Sequence, residues 1–170
     1  MLIERWRGGE SRAASELVRR HADALARFAT SAGEREEIEE LVQDTFVRAF
    51  SSLHAFRGDA SFRTWLFTIE RRLMLDRRRS EKRRQNMVRI ENSEAATEYD
   101  ALDGMVAQET ATRVRRSVAT LSPMQREVFT MRVEQGLSYR EIAVILETTE
   151  GAARVHYHNA IRAVKEFLDE

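Results

Sequence analysis

The sequence predicts an all-α protein of two small helical domains joined by an acidic linker. Three observations carry that prediction. Apolar residues recur at helical spacing through most of the 170 residues, interrupted by only seven Gly and one Pro. Ser-initiated capping motifs mark helix starts in the C-terminal third. Charge is also segregated: residues 1–90 hold 19 basic and 14 acidic side chains, residues 91–110 hold 0 and 6, and residues 111–170 hold 9 and 8. The formal net charge of zero hides this, and a partner would feel a basic first domain followed by an acidic strap.

Composition excludes several classes. A chain of this length can hold two domains, since each needs roughly 50 residues to bury a useful core. There is no Cys, so no disulfide or thiolate site is possible. The four His lack metal-ligand spacing, and His156 and His158 lie two apart on different helix faces, so neither metal nor cofactor is expected. No apolar run approaches the roughly 20 residues that span a bilayer, and no signal-peptide core opens the chain. Membrane insertion is therefore not expected, and a cytoplasmic location is. Paired carboxylates in a cleft, a phosphate loop and a nucleophile–base set are all missing, which argues against an enzyme.

Residues 1–30 read as one or two amphipathic helices. Leu17, Val18, His21, Leu25 and Phe28 share a face, Trp6 packs on it, and Ser11 or Ser15 can cap. Residues 34–53 form a second helix, with Ile38, Leu41, Val42, Thr45, Phe46, Ala49 and Leu53 inward. Its outward face presents Glu37, Glu40, Gln43, Asp44 and Arg48, which is either simply solvated or a surface for a basic partner.

The chain is organised around residues 56–84. A polar loop, Arg57-Gly58-Asp59-Ala60-Ser61, leads into a helix with Phe62, Leu66, Ile69 and Leu73 on one face. The other face and the tail carry Arg63, Arg71, Arg72, Arg77, Arg78, Arg79, Lys82, Arg83 and Arg84. Such a helix suits a negatively charged polymer with stackable bases, although a solvated amphipathic helix would look the same. Trp65 and Phe67 suit either core packing or base contact.

Residues 91–117 are acidic and poor in large apolar groups, so they read as a linker with a short helix near its end. It could be a solubilising spacer, or it could occupy a nucleic-acid channel. Residues 118–170 form the second domain. Ser122-Pro123-Met124-Gln125 and Ser138-Tyr139-Arg140-Glu141 are two capping boxes, and Leu137 can staple onto Ile142. After a break at Glu147-Thr148-Thr149 a last helix buries Ala153, Tyr157, Ala160, Val164 and Leu168. Short helix, short turn and longer helix is helix-turn-helix spacing, a geometry that ordinary helical hairpins share. In a DNA-binding version Glu150, Arg154, Val155, His158, Asn159 and Arg162 would face base edges and phosphates.

Together these residues resemble the extracytoplasmic-function (ECF) group of bacterial RNA polymerase sigma factors, along nearly the whole chain. Glu39-Glu40-Leu41-Val42-Gln43-Asp44-Thr45-Phe46 is similar to the acidic helix by which that family docks on the polymerase clamp. Phe56-Arg57-Gly58-Asp59-Ala60-Ser61-Phe62-Arg63-Thr64-Trp65-Leu66 is similar to the loop and helix that take the promoter −10 element. Leu121-Ser122-Pro123 and Leu137-Ser138-Tyr139-Arg140-Glu141-Ile142-Ala143 resemble the −35-reading domain.

The resemblance implies a factor without bond chemistry that gives core polymerase its promoter specificity. Its first domain would bind the clamp of the β′ subunit through Glu37, Glu40, Gln43, Asp44 and Arg48. It would hold a flipped −10 base and its flanking phosphates with Arg57, Gly58, Asp59, Ser61, Phe62, Arg63, Arg71, Arg72, Arg77 and Arg78. The second domain would meet the flap of the β subunit and read −35 duplex with Tyr139, Arg140, Arg154, Val155, His158, Asn159 and Arg162. The acidic linker would thread toward the active-centre channel, and an anti-sigma factor is an expected partner. Departures from the family pattern are Arg72 in place of Asn, Glu147 in place of a turn Gly, and His156, Asn159 and Ile161 in place of Arg. Two other functions fit single pieces of the pattern. A helix-turn-helix regulator acting without core polymerase would footprint duplex DNA alone, and a helical adaptor would show no promoter dependence.

Overall fold

A computed structural model describes residues 1–89 and 107–169. Eight α-helices and one 3₁₀ turn occur among them, with no strand. The expected linker lies mostly outside the described residues.

The N-terminal body comprises α1 (Leu2–Arg7), α2 (Ser11–Ser31), α3 (Ile38–Ser51), a 3₁₀ turn (Leu53–Ala55) and α4 (Phe62–Arg89). Neither Ser11 nor Ser15 caps α2 as expected. Glu10 occupies the cap without a side-chain bond, because Arg5 takes its carboxylate; Ser15 Oγ instead donates back to Ser11 O at 3.4 Å. Helix α3 starts four residues later than expected, since Glu37 takes a left-handed φ of 55° and Glu34 receives Arg78. The core forms where Leu25, Phe28, Leu41, Phe46, Leu66 and Phe67 converge, with Phe28 and Phe67 ring centroids 4.9 Å apart.

The C-terminal body comprises α5 (Ala107–Ala119), α6 (Pro123–Val133), α7 (Tyr139–Leu146) and α8 (Glu150–Asp169). Helix α5 packs along α8, with Arg113 Nη2 donating to Leu168 O at 2.9 Å, so this body begins within the stretch expected as linker. Val114 and Val118 are the few apolar residues on that helix, which is why the segment reads as linker. Both capping boxes form: Gln125 N donates to Ser122 Oγ at 3.4 Å and Glu141 N to Ser138 Oγ at 3.2 Å. Each is reciprocated, Ser122 N donating to Gln125 Oε1 at 3.2 Å and Ser138 N to Glu141 Oε2 at 2.8 Å. Leu137 and Ile142 are both buried, as the staple requires.

The two bodies pack on each other. Val128, Met131, Ile142 and Ile145 of the second join one hydrophobic cluster with Phe28, Leu66 and Phe67 of the first. Helix α4 is therefore covered on two sides. Thr64 and Thr68, off the expected apolar face, are buried along with Leu66 and Ile69. Among the described residues no helix is long and apolar enough to cross a membrane.

Candidate nucleic-acid and polymerase interfaces

Helix α4 and the loop before it form the first surface. Arg57, Gly58 and Asp59 are exposed, and Gly58 has a φ of 80° that an L side chain tolerates poorly. Ser61 ends the loop as a structural cap: Thr64 N donates to its Oγ at 3.1 Å. Phe62 is buried, with ring centroids of Phe56 at 5.7 Å and Trp65 at 5.8 Å, so it floors the loop. Trp65 and Phe56, both half-buried and 5.1 Å apart, are the aromatics nearer solvent. Phe67 is fully buried, which settles it as core.

The arginines of α4 divide by partner. Arg71 reaches α6, Arg63 the turn after α6 and Arg72 the turn after α7. Arg77 instead joins the acidic face of α3, 3.0 Å from Asp44, 3.7 Å from Glu40 and 3.9 Å from Glu37. Arg78 lies 3.0 Å from Glu34 and also donates to Ala32 O at the end of α2. Residues assigned separately to DNA and to polymerase thus interlock at Arg77.

The outward face of α3 forms the second surface. Glu37, Glu40, Gln43, Asp44 and Arg48 are all exposed along it. Val47 is 64% exposed on the same face, an apolar centre that charge-based reading passed over.

The third surface is the stretch of α8 from Glu150 to Arg162. Thr149 Oγ1 caps it, accepting from Ala152 N at 3.1 Å. Arg154, Val155, His158 and Arg162 are exposed, whereas Ala153 and Ala160 are buried behind them. Arg154 stacks 4.7 Å over Tyr139 and lies 3.2 Å from Glu150. Arg132 covers Tyr139 at 4.9 Å, an interaction the sequence pattern did not suggest. Arg140 is exposed and Asn159 half-buried. Ile161, standing where Arg is usual, packs against the cluster of Leu121, Phe129, Ala160 and Val164. Glu147, standing in place of a turn Gly, takes a left-handed φ of 54°.

Two family models match in the order the three surfaces require: sigma-70 region 2 over residues 17–84 and sigma-70 region 4 over residues 111–164. The chain belongs to the sigma-70 family. This sigma factor is 28% identical to the ECF RNA polymerase sigma-E factor of Salmonella typhimurium over 96% of its own length and 91% of that protein. The solved structure of CnrH in complex with the cytosolic domain of CnrY is similar at 29% identity and TM-score 0.72, covering 99% of this chain and 95% of that one. The fold is also that of the sigma factor RpoE in complex with the anti-sigma factor NepR from Bartonella quintana. That match has 24% identity and TM-score 0.72, and covers 91% of this chain and 96% of that one. The protein is an alternative sigma factor directing promoter-specific transcription, and not an enzyme.

Proposed function

We propose that the three surfaces divide initiation between them. The α3 face, through Glu37, Glu40, Gln43, Asp44 and Arg48 with Val47 at its centre, docks on the clamp of the β′ subunit. Arg57, Gly58, Asp59 and Ser61 surround a flipped −10 base over a floor of Phe62. Arg63, Arg71, Arg72, Arg77 and Arg78 steady the strand's phosphates. Flipping costs a few kcal/mol of stacking, which a pocket of aromatic and polar groups recovers. The second domain reads the −35 duplex with Tyr139, Arg140, Arg154, Val155, His158, Asn159 and Arg162, and meets the flap of the β subunit.

The observation that carries this reading is the sidedness of α8. From Glu150 to Arg162 it shows Arg154, Val155, His158 and Arg162 to solvent while Ala153 and Ala160 are fully buried. A helix entering the major groove needs that sidedness. An anti-sigma inhibitor belongs to the same reading, since similar chains have been solved with such a partner. So does a cytoplasmic location, where polymerase and promoter DNA meet.

Run-off transcription with core polymerase across a genomic promoter library tests the assignment, with Arg154→Ala as the discriminating variant. Initiation at −35-dependent promoters should fall about tenfold, the usual worth of one base-reading arginine, while core binding stays intact. Unchanged −35 protection in a footprint of the variant would remove Arg154 from the interface.

A further inference from the structure

The loop that precedes α4 is held at both ends, by different means. Its far end closes on Ser61, the cap of α4, above the buried ring of Phe62. Its near end begins at Phe56, whose carbonyl belongs to the peptide that leads into Arg57. That carbonyl and the one of Leu53 both accept from Nη2 of Arg7, at 2.6 and 3.3 Å. Nη1 of Arg7 donates to Glu4 Oε1 at 2.8 Å, so the guanidinium is also fixed from within α1. Helix α1 is itself anchored. Ile3 is buried, the Trp6 ring lies 4.9 Å from that of Phe50 in α3, and Arg5 Nε donates to Glu10 Oε2 at 2.8 Å across the turn into α2. Arg7 thus ties α1 to the 3₁₀ turn from which the loop springs.

A loop that selects a base binds best when its backbone is set before the base arrives. Gly58, left-handed at a φ of 80°, gives this loop a backbone with few restraints of its own, so a restraint at the root matters. We propose that Arg7 is a positioning residue for −10 recognition: it holds the Phe56 and Leu53 carbonyls so that Arg57, Gly58 and Asp59 keep the geometry that selects the flipped base. This rests on the −10 assignment above. Arg7 touches neither base nor phosphate in this role, since its guanidinium is committed to Glu4 and the two carbonyls. Helix α1 thereby serves the −10 surface although it ends before residue 17, where the family match begins.

The test uses the full chain with core polymerase, on promoters recovered from the run-off library in which each −10 non-template position carries the four bases in turn. Arg7→Met keeps the apolar stem and removes every donor. Arg7→Lys restores a cationic donor, and one nitrogen suffices because both carbonyl bonds come from Nη2 alone. The Arg7 side chain is 37% exposed, so both variants keep their fold. In Arg7→Met the preference for the favoured base at the flipped position should shrink about tenfold, the usual worth of a bond from a charged donor. Core binding and −35 protection should not change, and Arg7→Lys should recover most of the preference.

Initiation lowered equally for all four bases in Arg7→Met would mean that Arg7 only stabilises the fold, and would overturn the proposal. A Lys variant as unselective as the Met variant would overturn it too, because the two carbonyl bonds would not be what matters. Asp59→Ala, within the loop, keeps such a failure apart from a failure of the −10 reading. If Asp59→Ala leaves base preference intact, the loop selects no base and both ideas fall. If it flattens the preference while Arg7→Met does not, the −10 reading stands and the role of Arg7 alone is overturned.

Discussion

Glu70 is the residue whose chemistry is least expected. It sits within the stripe of Leu66, Phe67 and Met74, is fully buried, and neither carboxylate oxygen has a partner among the described residues. Burial, with Glu34 adding to it, pushes its pKa up to about 9, so the side chain is neutral at ordinary pH. Between the ordinary carboxylate pKa and that value, the folded chain holds a proton that the unfolded chain releases. Stability must therefore fall as pH rises through this window and be unaffected below it. Glu70→Gln should remove the slope, leaving the variant more stable than wild type at pH 8 by about 1–4 kcal/mol, with the two alike at pH 4. Thermal melts at pH 4, 6 and 8 decide it, and parallel curves would mean that the carboxyl finds a partner. Glu147, like Glu37, holds a left-handed backbone. A left-handed backbone costs a non-Gly side chain about 1–2 kcal/mol, more than the 0–1 kcal/mol an exposed pair with Arg72 returns.

At the scale of single helices, the capping boxes do the most with the fewest residues. Ser138 and Glu141 satisfy each other's backbone, and Glu141 also accepts from Thr64 of α4. The Ser138 backbone and hydroxyl bonds, outweighing its partial burial, hold the Glu141 pKa below the usual carboxylate value. Ser138→Ala should cost about 0.5–2 kcal/mol, a loss of several degrees in Tm, and calorimetry would detect it. Helix α3 supports a prediction of another kind. Gln43→Ala with Asp44→Arg removes one of the three carboxylates around Arg77 and puts a cation in its place, and should weaken association with core polymerase about tenfold or more. Undiminished co-purification would return that face to plain solvation. Both capping boxes and the inward residues of α3 were legible because they recur within a turn or two. Burial of Thr64 and Thr68 was not, because their cover comes from helices about 75 residues away.

The two bodies should unfold together. One hydrophobic cluster runs from Phe28 and Phe67 to Met131, Ile142 and Ile145, so the two bodies share a core. A single calorimetric transition is expected, with calorimetric and van't Hoff enthalpies in agreement. Glu127→Arg would set two cations together at a site about 15% exposed and should split the melt into two transitions. One transition in that variant would show that apolar packing alone joins the bodies.

The sequence by itself determined the all-helical class, the two capping boxes, the division into a basic first body and a helix-turn-helix second, and the family to which they belong. Those signals are local: spacing of about 3.6 residues, a Ser three residues before a Glu, a loop of fixed composition. The tertiary structure decided which arginines are occupied, that Glu70 keeps its proton, and that Ile161 packs against the cluster of Leu121 and Phe129. Each depends on groups meeting across the fold, as Arg71 and Glu127 do 56 residues apart. Such encounters are set by how whole helices pack and leave no period in the chain.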